Sequence, residues 1–65
     1  MKLTRRQRQV VQLLADGLTC PQVAVKLGVS LSTIRAHVQV ISGRLPGNQP
    51  PIRRIVANAD RILAA

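Results

Sequence analysis

Signals that start and stop helices recur so often in this chain that no long element fits between them. Thr4 can accept from the backbone N–H three residues on, and Gln7 stands there to complete a capping box. Asp16-Gly17 is a stop, the glycine suiting the left-handed position after a helix end. Thr19 and Gln22 repeat the start signal, with Pro21 in the first turn, where no backbone donor is needed. Gly28 stops the second helix about two turns later. Ser30 or Ser32 caps the third, and Pro46-Gly47 ends it. Asn48-Gln49-Pro50 is a short linker, and Pro51 is a natural first-turn residue for the fourth. The spacing predicts four helices, over residues 4–15, 20–27, 31–45 and 51–64. No strand is expected, because the one β-branched stretch, Val38 to Ile41, lies inside the third helix. A chain of 65 residues holds a single domain, residues 1–65, burying about 60% of its unfolded surface. The fold class is therefore an all-α, compact four-helix domain.

Each predicted helix has an apolar stripe. The first carries Leu3, Val10, Val11, Leu14 and Leu18, widened by Leu13. The second carries Val23, Ala24 and Leu27. The third has Ile34, Val38, Ile41 and Leu45 at i, i+4, i+7 and i+11. The fourth has Ile52, Ile55, Val56, Ala59, Ile62 and Leu63. This last stripe serves either the core or a seam between two copies, with Ile55, Ala59, Ile62 and Leu63 as the candidate seam. So small a chain needs most of it for its own core.

Charge narrows the function. Ten Lys or Arg face two Asp or Glu, for a net charge of +8. Such a field points to an anionic partner, nucleic acid first, although a basic surface also keeps a small domain in solution. With no Phe, Tyr or Trp, the chain lacks the rings on which single-stranded bases stack. Double-stranded DNA is the better fit. Other classes are disfavoured. One cysteine, Cys20, excludes an internal disulfide framework and a multi-thiolate zinc site, and one histidine, His37, makes a His-rich metal site implausible. No cofactor and no metal are expected. The two carboxylates, Asp16 and Asp60, assemble with nothing into a nucleophile–base pair, so an enzyme is not expected. No apolar run approaches the roughly 18 residues of a membrane span, and no signal-peptide core follows the basic start, so a cytoplasmic location is expected.

The second and third helices, joined by a short turn at Gly28, form a helix-turn-helix pattern. Ala24 is small where the helices must approach, and Val29 and Ile34 can fill the angle between them. With about 100° per residue, Ile34, Val38, Ile41 and Leu45 fall within about 40° of one direction. Ser32, Ala36, Gln39 and Gly43 lie opposite, flanked by Arg35 and Val40. This outer face is small, polar and free of acid, whereas an ordinary solvated face mixes Glu with Lys. A helix entering a major groove needs low bulk, with Arg and Gln to bond base edges.

The run Leu3-Thr4-Arg5-Arg6, the Leu13-Leu14-Ala15-Asp16-Gly17-Leu18-Thr19 step, Leu27-Gly28-Val29-Ser30 and Thr33-Ile34-Arg35-Ala36-His37 together resemble the LuxR/GerE-type helix-turn-helix domain. The likeness runs from Leu3 to about Leu45. It implies a DNA-binding fold with the third helix as recognition helix and the fourth as a common dimerisation surface. By position, Arg35, Ala36 and Gln39 would face bases and Thr33 would meet phosphate. Thr19, Ser32, Lys26 and Arg44 are expected to join Thr33 on the backbone. The expected partners are double-stranded DNA, a second copy of the chain and RNA polymerase, with no membrane. The sequence departs from the family at Gln7 and Gln22, where Glu is usual, and at Pro21 and Gly43, where a base is common. Pro46 to Pro51 replaces the family's Gly-Val-x-[Ser/Asn]-Arg segment, which leaves the placement of the fourth helix and the dimer mode open.

Sequence-specific DNA binding in transcriptional regulation is thus the leading function. A basic module that docks an acidic protein, or a membrane surface, is the alternative. Liposome binding without duplex binding would favour the membrane reading, and DNA affinity indifferent to salt would favour the protein-docking one. His37 is read as a packing or capping group rather than a phosphate contact, and Cys20 as structural rather than redox-active.

Overall fold

In the computed structural model, which describes residues 2–64, five helices follow one another: α1 (Arg5–Ala15), α2 (Cys20–Leu27), α3 (Leu31–Ser42), α4 (Pro51–Ala57) and α5 (Ala59–Ala64). Both capping boxes form. The Thr4 hydroxyl accepts from the Gln7 N–H at 3.1 Å, and the Thr4 N–H donates to Gln7 Oε1 at 3.0 Å. Thr19 and Gln22 exchange the same pair of bonds at 2.9 and 3.4 Å. Gly28 ends α2 at φ +70°. Its N–H donates to the Val25 carbonyl and that of Val29 to Ala24, the paired bonds of a Schellman termination. Ser30 then caps α3 by accepting from the Thr33 N–H at 3.2 Å.

The helices meet over an aliphatic core. Val10, Val11, Val23, Ile34, Ile41 and Ile55 are fully buried, with Leu14, Cys20, Ala24, Val38, Ala59 and Ile62 beside them. Leu3, Leu13, Leu18, Leu27, Val29, Leu45 and Leu63 close its edges. Helix α1 packs against each of the other four helices, and α3 packs against α1, α2 and α4. The radius of gyration is 10.6 Å. About 10.7 Å is expected for a folded chain of this length.

Two boundaries differ from expectation. The third helix stops at Ser42 rather than Leu45. Gly43 follows it with a backbone still close to helical, and Arg44 and Leu45 donate back to Ile41 and Ser42 at 3.1 Å, three residues away. The last turn thus tightens at the poorly helix-forming glycine, yet Leu45 still reaches the core. The fourth helix is two. Asn58, at φ −106° and ψ 5°, separates α4 from α5, and its side-chain amide donates to the Arg54 carbonyl at 2.8 Å. A side chain bonding its own backbone in this way competes with helix continuation.

The candidate seam is corrected as well. Ile55, Ala59 and Ile62 are 0%, 3% and 5% exposed, packed inside the chain itself, so they cannot form a surface for a second copy. Their spacing puts them on one side of the α4–α5 segment, where α4 packs against α1 and α3 and α5 against α1. Leu63 is half-buried at the core's edge. The apolar side chains left outside on α4 are Ile52 and Val56, each 42% exposed.

Candidate nucleic-acid interface

Helix α3 is divided lengthwise. Ile34, Val38 and Ile41 are buried, while Ser32, Thr33, Arg35, Ala36, Gln39 and Val40 are exposed, as the periodicity of a straight helix requires. Its outward surface holds no acid between Leu31 and Ser42. The guanidinium of Arg35, the amide of Gln39 and the methyl of Ala36 therefore stand together, above a floor of packed side chains that fixes the helix beneath them.

A wide groove runs along this surface. Ser32, Arg35, Ala36 and Gln39 form its floor, Thr19 and Pro21 at the start of α2 form one wall, and Pro50, Pro51 and Ile52 form the other. Among the expected contact residues, it gathers Thr19, Ser32, Arg35, Ala36 and Gln39. Thr33, Lys26 and Arg44 are exposed but outside it: Lys26 borders a second, shallower hollow with Pro21, Gln22 and Val25, and Arg44 follows the end of α3.

Hydroxyls cluster at the N-terminus of α3. The Ser30 oxygen lies 3.1 Å from that of Ser32 and 2.9 Å from that of Thr33. Each hydroxyl has one donor, and Ser30 can donate to only one of the two, so one of Ser32 and Thr33 spends its O–H on Ser30 and only the other keeps a donor for an anionic partner. The Thr19 hydroxyl is likewise engaged by its own cap.

Sequence reasoning missed two features. One is the Pro50–Pro51–Ile52 wall: in sequence these residues are a linker end, a first-turn proline and a stripe position, and their seat beside α3 depends on how the chain folds back. Arg54 had no assignment. Its Nη1 donates to the Ser42 carbonyl at 3.1 Å and its Nη2 to the Gln49 carbonyl at 2.9 Å. It ties the end of α3 to the segment that builds the wall. Cys20 is buried in the core at the first residue of α2, and His37 is half-buried on α3. Among the described residues no helix is long and apolar enough to cross a membrane, and no cluster of His, Cys, Asp or Glu could hold a metal ion.

Comparison with known proteins bears on this surface. The sequence model of the family described as bacterial regulatory proteins, luxR family, matches residues 1–47. That span takes in α1, α2, α3 and the turn between the last two. A protein of Aeromonas salmonicida, named as a candidate HTH-type transcriptional regulator in the exeN 3′ region, is 41% identical over 44 residues. Those residues are 68% of this chain but 22% of that relative's length. No solved structure matches the chain.

Proposed function

The chain belongs to the luxR family of bacterial regulatory proteins, and from that membership we propose that it binds double-stranded DNA sequence-specifically as a regulator of transcription. Helix α3 enters the major groove, with Arg35, Ala36 and Gln39 toward the bases. The observation that carries this reading is the outer face of α3, acid-free and low in bulk, with those three side chains exposed over buried Ile34, Val38 and Ile41. Arg suits guanine and Gln suits adenine, because each can make two parallel bonds to one base edge. Thr19, Ser32, Thr33, Lys26 and Arg44 meet the phosphates and set the register of the helix without reading sequence.

The protein acts as a homodimer. Two recognition helices then lie about 34 Å apart, one DNA turn. Because Ile55, Ala59 and Ile62 are core and Ile52 lines the groove beside α3, the seam is drawn from the exposed Val56 with the edge of Leu63. RNA polymerase is a further partner of such a regulator.

Selection of bound duplexes from a random pool tests the whole reading. A palindromic consensus with half-sites about one turn apart is expected. A consensus without symmetry overturns the dimer, and no enrichment of any sequence overturns sequence-specific binding.

A further inference from the structure

Val40 is 49% exposed, and it stands on α3 rather than at the edge of the core. From the duplex-reading function proposed above, on which this inference rests, we propose that Val40 is a specificity-determining residue that reads the C5-methyl group of a thymine in the major groove.

The geometry of the helix carries the argument. With Ile34 as zero and about 100° per residue, Arg35, Gln39 and Ser32 lie between roughly 100° and 160°. Ala36 and Val40 lie at about 200° and 240°, on the other edge of the same outward face. Arg35, Gln39, Ser32 and Ala36 line the groove beside Pro50–Ile52, and Val40 lies outside that groove, between Ala36 and the exposed Thr33 at about 260°. Thymine alone among the four bases presents a methyl group in the major groove, and apolar side chains discriminate it there. Charge complementarity favours DNA as the occupant of this edge, since the face carries no acid and Arg35 and Arg44 flank it.

Two further points support the assignment. A β-branched side chain is nearly fixed in one rotamer within a helix, so Val40 meets a base with little ordering cost. At an exposed helical position valine is also a poorer choice than Ala, Lys or Glu, so local helix stability does not explain it. Val40 lies five residues past Arg35, about 7.5 Å along the axis.

Replacing thymine by uracil deletes that methyl group and nothing else. In the duplex selected by the wild-type chain, each thymine is replaced in turn, and binding is measured for the full chain and for Val40→Ala. At one thymine, uracil should weaken wild-type binding about fourfold, the worth of one buried methyl group. Val40→Ala should bind the thymine and uracil duplexes alike there. The variant should keep its helical circular dichroism and melting profile, because Val40 is exposed and alanine is the better helix former. A wild-type chain indifferent to every thymine-to-uracil change overturns the role of Val40. So does a Val40→Ala chain that keeps the full preference. Both of those results leave sequence-specific binding standing; failure to select any duplex removes it, and the inference with it.

Discussion

Arg54 is one positive charge already committed inside the fold. It is half-buried, and its two terminal nitrogens are spent on the carbonyls of Ser42 and Gln49, while Nε is buried with no hydrogen-bond partner among the described residues. Ser42 is the last residue of α3, so the cation also sits at the negative end of that helix. Hydrogen bonds from charged groups contribute about 1.5–3 kcal/mol each when measured by removal. The bond to Gln49 is solvent-exposed and water can replace it, so Arg54→Ala should destabilise the chain by about 1.5–3 kcal/mol in urea unfolding, the worth of the part-buried bond to Ser42. Arg54→Lys should recover only part of that, because an ammonium cannot fork to two carbonyls as a guanidinium does. Full recovery by Lys would mean that charge alone matters. Arg53, one residue earlier, is exposed. Two adjacent arginines of opposite fate cannot be told apart from composition, since the difference depends on where Ser42 and Gln49 come to lie. Arg35, by contrast, was legible, because its direction follows from its own helix alone.

Elements were legible to the degree that their signals are local. Each capping box lies within four residues, and both form as the spacing implies. The break at Asn58 was not legible, since the apolar stripe of Ile52, Ile55, Ala59 and Ile62 reads straight through it. At the break the Arg54 carbonyl accepts from both the Asn58 backbone N–H, at 3.3 Å, and its side-chain amide, at 2.8 Å, a sharing that periodicity does not record. The turn between α2 and α3 gives the sharpest test at this scale. Gly28 has φ +70°, and a Cβ placed there would meet nothing within 4 Å. The cost of a side chain is thus conformational rather than steric. Gly28→Ala should lower stability by about 1–2 kcal/mol, and Gly28→Asn by less, because Asn tolerates the left-handed region. Thermal unfolding of the two variants side by side checks the ordering. Equal losses would place the cost elsewhere than in the backbone angle.

At the scale of the whole molecule, the aliphatic core and the charge are separable. Without aromatic rings, five short helices are held by Ile, Val, Leu and Ala side chains, and α1 touches every other helix. That packing was legible because each stripe is set within its own helix. The second wall of the groove was not, because it arises where the chain after α3 turns back and Arg54 fastens it. The net charge of +8 is likewise not one quantity. Duplex affinity falls with salt in proportion to the phosphates neutralised, with log K changing by about 0.9 per contact for each decade of salt. Only side chains that reach phosphate contribute to that slope. Lys26→Ala and Arg44→Ala should each flatten it by about one unit per protomer and weaken selected and random duplexes alike. Arg54→Ala should leave the slope unchanged while lowering the unfolding midpoint, because its charge is committed to backbone carbonyls inside the fold. Titrations of both duplexes at several salt concentrations, made well below the variants' unfolding midpoints, read these effects separately. A flattened slope in Arg54→Ala would show that Arg54 leaves its carbonyls for a phosphate when DNA binds. An unchanged slope in Lys26→Ala or Arg44→Ala would remove that residue from the phosphate-contacting set.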